Sequence, residues 1–547
     1  MKHLLPFLLF FLVLPVLGST STQKGGEELP WRGLMIDVSR HFRSLDWLKK
    51  QVDWMHRYGL NTLHLHLTDA AGWRIEIEGY PKLTELSAYR TEENWKAWWR
   101  NGDRHYGGSY GGYYTQDELR SLVAYARERG VTIVPEIEFP AHSEEVFAAY
   151  PHLCCTGEPY TSADFCIGKE EVFRFMSDVL RQVADIFPSR YLHVGGDEAG
   201  GKHWKTCPLC QQTSQAEAMR RLNAIVRGLG RRMIAWDECL TDEAADSTIA
   251  IMVWRDVEIA SRALRLGHEV VLSPSRYLYL DAYQDAPETQ PEAIGGYSPL
   301  RRVYDFGVVL NDLRILGGTR LLGLQGNMWT EYIPTEDHAE SMLWPRALAI
   351  AELGTGHPRP WKTFHRWAVR QVALMHEKGL HAFDLHGEQG QRPEYKKRMK
   401  GISTRCLVQY GHRYSDSYPA AGDGSLTDGL QGSWTYTDGR WQGFIGKAGM
   451  DVTIDLGRLK KVRQVEASFM QSLNPYIYLP ERIVIQISQD GQTYVPLLAQ
   501  AVDREAQPVC FRRYGYNGQL QQARYIRFQA LPGDRGGWIF CDEVIVR

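Results

Sequence analysis

The chain is 547 residues long, 44% hydrophobic and 23% charged, with a formal net charge of −2. That length is too great for one ordinary core and asks for two to four domains, while the balanced, interspersed charge excludes an electrostatic partnership with nucleic acid or an anionic membrane. Aromatic residues are in excess: 17 Trp and 28 Tyr exceed what a core requires, and flat aromatic faces are what sugar rings stack on.

In chain order, Lys2 and His3 precede an apolar run from Leu4 to Leu17 that is too short to cross a bilayer and ends at Gly18 and Ser19. Residues 1–18 read as a secretory signal whose removal leaves a secreted or periplasmic protein without a transmembrane segment. Strand-like runs follow at Gly33 to Val38, Thr62 to Leu67, Val131 to Glu136, Tyr191 to Val194, Met233 to Trp236, Ile249 to Trp254, Glu269 to Ser273 and Leu321 to Gln325. Amphipathic segments of helical period separate them, among them Leu45 to Tyr58, Gln116 to Arg129 and Lys169 to Ile186. This alternation predicts an α/β fold, a (β/α)8 TIM barrel over residues 30–385, with a doubly wound open sheet as the competing arrangement.

In a barrel the chemistry sits at the carboxyl ends of the strands. Here those ends carry Asp37 and Arg40, Asp69, Glu136 with Glu138 and His142, Asp197-Glu198, Trp236-Asp237-Glu238, Trp254-Arg255, Tyr279 with Asp281, and Trp329 with Glu331. A helix cap or a buried indole explains any single case. Together they describe a mouth for an uncharged polyhydroxylated ligand, with carboxylates to accept hydroxyl hydrogen bonds and indoles to cover the apolar sugar face. Asp197 and Glu198 are adjacent, so both can reach one substrate only if the backbone bends, which Gly195-Gly196 permits. No Gly-rich phosphate loop and no paired-His spacing occurs, so phosphoryl transfer and metal-dependent hydrolysis are disfavoured, and no cofactor or metal is expected for catalysis.

Nine Cys leave at least one unpaired. Cys207-Pro-Leu-Cys210 has the spacing of half a zinc site or of a redox pair but lacks a clear second half. Cys155 and Cys166 bracket a loop and suit a disulfide in an oxidising compartment.

Four motifs carry a family resemblance: Arg32-Gly-Leu-Met-Ile-Asp37-Val-Ser-Arg40-His-Phe; His64-Leu-His-Leu-Thr-Asp69 with Gly72-Trp73-Arg74; Pro135-Glu136-Ile-Glu138-Phe-Pro140-Ala-His142; and His193-Val-Gly-Gly-Asp197-Glu198. In this order they resemble the family 20 glycoside hydrolases, the β-N-acetylhexosaminidases, from about Trp31 to Gly379. The resemblance implies that Glu198 is the general acid and later the base, and that the nucleophile is the substrate's own 2-acetamido oxygen. It implies that Asp197 holds the acetamide N–H and stabilises an oxazolinium cation, and that Tyr279 donates to the acetamide oxygen. Trp236, Trp254 and Trp329 would wall the acetamido pocket, Arg32 and Glu331 would hold ring hydroxyls, Asp281 would sit near the hydroxymethyl end, and Asp69 and His142 would stand behind Glu198. Departures from the family pattern are Glu138 and Ala141 where Asp and Gly are usual, Ala70-Ala71 where an acid and an amide are usual, and Ile294-Gly-Gly-Tyr297 where a Trp often follows strand seven.

Residues 386–401 are polar and read as a linker, and from Ile402 short strands with turn signals, among them Asp451 to Leu456 and Val465 to Met470, predict an all-β sandwich to the end of the chain. Leu426-Thr-Asp-Gly429, Trp441-Gln-Gly-Phe444 and Trp538-Ile-Phe540 resemble discoidin-like modules, many of which are family 32 carbohydrate-binding domains. That resemblance implies a structural calcium near Asp428, and Tyr476, Tyr478 and Tyr516 are candidate sugar platforms. The whole reads as a secreted exo-β-N-acetylhexosaminidase acting on glycans with terminal β-linked N-acetylglucosamine or N-acetylgalactosamine. The alternatives are an inactive glycan-binding protein on the same barrel, and an exo-glycosidase releasing a disaccharide or a sulfated sugar.

Overall fold

The computed structural model describes residues 26–100, 105–240 and 246–547; the expected signal segment lies outside them. Eight parallel strands close into a barrel: β1 (Trp31–Asp37), β2 (Thr62–His66), β3 (Thr132–Phe139), β4 (Tyr191–Gly195), β5 (Arg232–Trp236), β6 (Ala250–Val253), β7 (Val270–Leu272) and β8 (Leu321–Met328). β8 pairs with β1 and closes the ring, which settles barrel against open sheet. Every run read as a strand is one.

The strands alternate as the pleat requires. Leu34 and Ile36 of β1, Leu63 and Leu65 of β2, and Leu192 and Val194 of β4 face the surrounding helices in the main core. The opposite parity fills the barrel, where Trp31, Val134, Tyr191, Ile234, Trp236, Met252 and Val271 form a separate inner cluster. Gln325 spans it, accepting from the Trp31 indole at 3.1 Å and facing His64 Nδ1 at 3.1 Å. The outer helices are capped as their sequences suggest: Ser44 accepts from Trp47 N, and Thr115 with Glu118 forms a reciprocal capping box.

At the end of β4 the chain turns sharply. Gly195 and Gly196 have φ of 65° and 99°, and the non-glycine Glu198 has φ of 49°. A Cβ on Gly195 would lie 1.9 Å from Glu138 Oε2, so the position excludes any side chain on contact as well as on dihedral grounds.

The remainder is a seven-stranded antiparallel sheet with its own core, compatible with a discoidin-like module. Its strands are β9 (Leu407–His412), β10 (Gln442–Ile445), β11 (Met450–Ser472), β12 (Arg482–Ser488), β13 (Val495–Ala501), β14 (Val509–Leu531) and β15 (Trp538–Val546). Two expected short strands, Asp451 to Leu456 and Val465 to Met470, are one long strand, β11, whose register shifts between Asp455 and Lys460 and again between Val462 and Gln464. Sequence periodicity breaks at such bulges although pairing continues. Near Asp428, Glu543 accepts from Gly429 N at 2.9 Å. Burial, with Asp428 adding repulsion, pushes Glu543 up to about 9.

The segment between barrel and module is packed, not a free tether. Asp285 accepts from the backbone N–H of Gln389 at 2.8 Å and Gly390 at 2.7 Å, and the buried Arg392 reaches Gly432 O at 2.9 Å and Asp542 at 3.3 Å. Trp441, Met470, Ile477, Val509 and Phe540 of the module continue the barrel's hydrophobic core, so the two parts share an apolar interface. No helix among the described residues is long and apolar enough to cross a membrane.

Candidate functional site

The carboxyl mouth of the barrel holds a chain of buried charges. Asp69, on the short hairpin after β2, has three cationic partners on one carboxylate oxygen: Arg40 Nη2 at 2.7 Å, His66 Nε2 at 3.1 Å and His142 Nδ1 at 3.5 Å. Burial opposes its ionisation, but Arg40 and His142 outweigh that and hold its carboxyl far below the usual range. Arg40 spans Asp37 at 3.4 Å and Glu331 at 3.8 Å, and its guanidinium lies 5.1 Å from the Trp329 ring centroid.

Behind this chain sits Glu136, fully buried on β3. His66 Nδ1 donates to it at 2.5 Å, the Trp236 indole donates at 2.8 Å, His193 Nδ1 lies at 2.7 Å and His64 Nε2 at 3.1 Å. Burial would raise Glu136, but the three histidines hold it well below the ordinary value. Glu136 and Asp69 in turn outweigh burial at His66 and keep it cationic, whereas burial takes His64 down to about 4 and leaves it neutral. No single motif marks this hub, because one carboxylate serves residues from β2, β4 and β5. The signal available was parity: His64, His66, Glu136, His193 and Trp236 all fall on inward positions.

Asp197 and Glu198 come to the same side of the mouth, and His142, itself at φ 53°, joins them: its Nε2 is 3.5 Å from Asp197 Oδ2 and 3.4 Å from Glu198 Oε2. The environments differ. Asp197 is largely buried, and burial lifts its pKa against the pull of His142. Glu198 is 59% exposed at its side chain and is lowered, first by its hydrogen bond with His142. His142 is raised well above 6.5: burial opposes the cation, and Asp69 and Asp197 outweigh it. Beneath Asp197, Glu138 is raised well above its usual value by burial and by Asp197 and Glu136.

The aromatic wall is continuous. Trp236 and Trp329 have centroids 5.9 Å apart, Trp329 meets Tyr279 edge-on at 6.2 Å, and Tyr279 stacks on Trp254 at 6.2 Å with planes 19° apart. The Trp254 indole donates to Glu238 at 3.0 Å. Asp281 is buried, its Oδ1 has no hydrogen-bond partner, and burial with the nearby Glu331 pushes it up to about 8. Asp197 Oδ1 likewise lacks a partner. Each such unmatched acceptor carries a desolvation cost that a ligand's N–H or O–H donor would offset.

One sequence assignment is corrected. Arg32 is not at the mouth: it lies near the amino end of β1 with outward parity, bonded to Gly59 O at 2.7 Å and Leu29 O at 2.6 Å and paired with Glu28 at 3.0 Å. The five residues from Arg32 to Asp37 span roughly 16 Å of strand, which puts the two at opposite ends of the barrel. Arg40, on the loop leaving β1, stands where Arg32 was expected.

Outside these residues the mouth opens into a cavity of about 430 Å³. One side is Trp95 and Trp99 from the long β2–β3 connection; the other is Tyr436, Asn474, Pro475 and Tyr476 from the module, with Ile294 between them. Asn474 donates to Ala293 O at 3.0 Å and fixes the module's loop there. Sequence reading placed Tyr476 on a loop tip but not beside Glu198, since nothing local records how two domains dock.

A (β/α)8 barrel with paired carboxylates under a wall of indoles at its carboxyl mouth is the architecture of a glycoside hydrolase. The chain belongs to glycosyl hydrolase family 20, whose catalytic-domain model matches residues 29–355. It is 38% identical over 376 residues to the β-hexosaminidase of Porphyromonas gingivalis (65% of this chain, 47% of that one). With the β-hexosaminidase of Vibrio furnissii it shares 32% identity over 364 residues, covering 60% of this chain and 57% of that one. The exo β-N-acetylglucosaminidase of Vibrio harveyi, solved with N-acetylglucosamine, superposes with a TM-score of 0.56 at 30% identity over 65% of this chain and 59% of that one. The chain thus spans about half the length of the first two of these relatives.

The charge chain sets its own stability window. Asp69, with its lowered value, contributes stability above its unfolded pKa and loses it as pH falls; His66 and His142, with raised values, contribute fully below theirs and lose it as pH rises through the folded values. The three act together between about pH 4 and 6.5. Arg40→Ala, which leaves Asp37, Asp69 and Glu331 without their shared cation, should cost about 3–5 kcal/mol by chemical denaturation at pH 6. Arg32→Ala should cost about 1–2 kcal/mol, the value of its backbone hydrogen bonds.

Proposed function

We propose that the protein is a secreted exo-β-N-acetylhexosaminidase that removes terminal β-linked N-acetylglucosamine or N-acetylgalactosamine with retention of configuration. The observation that carries this reading is the meeting of Asp197 and Glu198 at one His142 nitrogen, with Asp197 close to Tyr279 in the aromatic wall formed with Trp236, Trp254 and Trp329. In that recess the 2-acetamido group would be held by its N–H on Asp197 and by its carbonyl on the Tyr279 hydroxyl. The carbonyl oxygen would attack C1 as Glu198 protonates the departing glycosidic oxygen, giving an oxazolinium ion paired with the Asp197 carboxylate. Glu198, now the base, would take a proton from water as that water opens the oxazolinium ring at C1. Arg40, Asp281 and Glu331 would close the non-reducing end, which favours one sugar per cleavage over a disaccharide. A structural calcium near Asp428, which the discoidin-like resemblance implies, would take no part in this chemistry.

Hydrolysis of N,N′-diacetylchitobiose, with a sugar leaving group, and of 4-nitrophenyl β-N-acetylglucosaminide tests the reading. Glu198→Gln should lower kcat/KM by about 10²–10⁴-fold on a sugar leaving group, and Asp197→Asn should lower kcat by about 10²–10³-fold with an unchanged melting temperature. Equal turnover of the glucoside bearing a plain 2-hydroxyl would defeat the substrate-assisted route, full activity in Glu198→Gln would remove Glu198 from the acid role, and a wild-type chain that binds the glycoside without releasing 4-nitrophenol would be a glycan-binding protein.

The Glu198–His142 pair holds one proton between two groups. In the open pocket it rests on His142, whose raised value retains it past neutrality; a bound sugar that strips water from Glu198 raises the carboxyl and draws the proton across. The basic limb of kcat/KM against pH therefore follows the pair. In His142→Gln that limb should fall by about 1–2 pH units, and an unmoved limb would remove His142 from the proton path.

Trp99 at 42% exposure and Tyr476 at 58% stand on the solvent side of Glu198, where a departing sugar would lie. Tyr476→Ala should lower kcat/KM for N,N′-diacetylchitobiose about fivefold, the value of one aromatic contact near 1 kcal/mol, and leave the methyl glycoside unaffected. Equal losses on both would assign the module a purely structural part.

A further inference from the structure

The loop that begins at Glu198 is fastened, some ten residues on, by a cluster of four thiols. Cys207 and Cys210 on this loop meet Cys155 and Cys166 on the loop that follows the His142 segment, and one sulfur of each lies within 4.8 Å of the other three. The sulfurs are 3.5 Å apart for Cys155 and Cys210, 3.6 Å for Cys166 and Cys207, and 3.4 Å for Cys166 and Cys210. Cys166 is thus equidistant from two partners, and so is Cys210. Two disulfides would give each sulfur one neighbour at about 2.05 Å and set it apart from the others. Edges shared in this way are those of a tetrahedron: sulfurs about 2.3 Å from a central zinc are about 3.8 Å from each other.

We propose that Cys155, Cys166, Cys207 and Cys210 bind one zinc ion as a structural tetrathiolate that ties the Glu198 loop to the loop beyond β3. The second half missing from the Cys207–Cys210 spacing is supplied here by a pair separated by a longer loop, which no fixed spacing could reveal. The local geometry suits a metal knuckle. The backbone N–H groups of Leu209 and Cys210 turn towards the Cys207 sulfur, an arrangement that a metal-bound thiolate accepts. Gly168 lets this turn sit flush, since a Cβ there would lie 2.4 Å from the Leu209 carbonyl carbon. Lys169 Nζ donates to Cys154 O at 2.7 Å and places a cation beside a site whose net charge would be −2.

The rest of the loop shows what the ion would hold. Asp164 Oδ2 accepts from Gly201 N at 3.1 Å, the Trp204 indole donates to Phe165 O at 2.8 Å, and His203 Nε2 lies 3.0 Å from Thr161 O. These contacts run between the same two loops and end next to Glu198, a partly exposed residue that cannot be positioned by packing alone. The zinc is remote from the reacting atoms and supplies rigidity, not Lewis acidity.

Elemental analysis of the full chain, purified through a tag without histidines and with no chelator, should find about one zinc per chain. Under denaturing conditions without reductant all nine cysteines should alkylate. Cys207→Ser should lose the zinc and melt earlier, while Cys239→Ser, outside the cluster, should retain it. Zinc-free protein with a mass four hydrogens short and only five alkylated cysteines would replace the proposal with two disulfides, and zinc-free protein with nine free thiols would overturn it as well. A different metal on the same sulfurs would overturn the zinc assignment. Should Cys207→Ser fail to fold, the wild-type zinc content and thiol count decide alone.

Discussion

The Asp69 carboxylate is the point on which the mouth of this barrel depends. One oxygen, out of contact with water, is shared by a guanidinium and two imidazoles that belong to three different strand ends. Buried charges of this kind persist only if every partner stays in place, because removing one leaves the others uncompensated in a low dielectric. The consequence is geometric. Arg40 and His142 are held by the same oxygen of Asp69, so the group that would grip the sugar hydroxyls and the group that addresses Glu198 are fixed relative to each other. His66 passes the same constraint inward to Glu136, and Glu136 carries it to Trp236, so the aromatic wall and the acidic pair hang from one electrostatic frame.

The barrel could be read from the chain because its rule is repetitive. A strand alternating Leu-in-the-shell with His-in-the-barrel, as in Leu63-His64-Leu65-His66, states its own orientation, and eight such strands with helices between them leave little choice of fold. The pocket was legible where strand ends name it: Asp197, Glu198 and Trp329 stand just past a strand, and Asp281 follows β7 after one short helical turn. Arg32 failed for a reason the same rule contains. It has outward parity and sits at the start of β1, so position along the strand excluded it even though the motif around it matched. Groups that act across strands left no linear trace: the Glu136 hub, the pairing of two cysteine loops, and the docking of Tyr476 against the mouth. Each needs contacts between residues tens to hundreds of positions apart, which neither periodicity nor spacing encodes.

Docking of the module gives the cleft its depth. The loop carrying Asn474, Pro475 and Tyr476 lines the same cavity as Trp95 and Trp99 of the barrel. The shared apolar core and the buried Arg392 hold that loop fixed, and the Asn474 bond to Ala293 sets its height. A module joined by a loose tether would raise local concentration only; one locked in this way would, on the proposed function, take part in the choice of leaving group.

Two neighbouring acids end up with opposite characters because the turn between them places one inside and one outside. The positive φ of Gly195 and Gly196 drops Asp197 into the recess over Glu138, where burial resists its charge, and the positive φ of Glu198 swings that side chain out to His142, which welcomes it. A left-handed glutamate costs on the order of 1 kcal/mol or more and endures only where surrounding contacts over-determine it. Those contacts are the loop bonds from Asp164 and Phe165 on one side and the His142–Asp69 pair on the other. Stiffness there is a condition of the chemistry. A carboxyl that must first give and then take a proton at one oxygen has to stay within reach of that oxygen through both steps, and an exposed side chain on an unsupported loop would not.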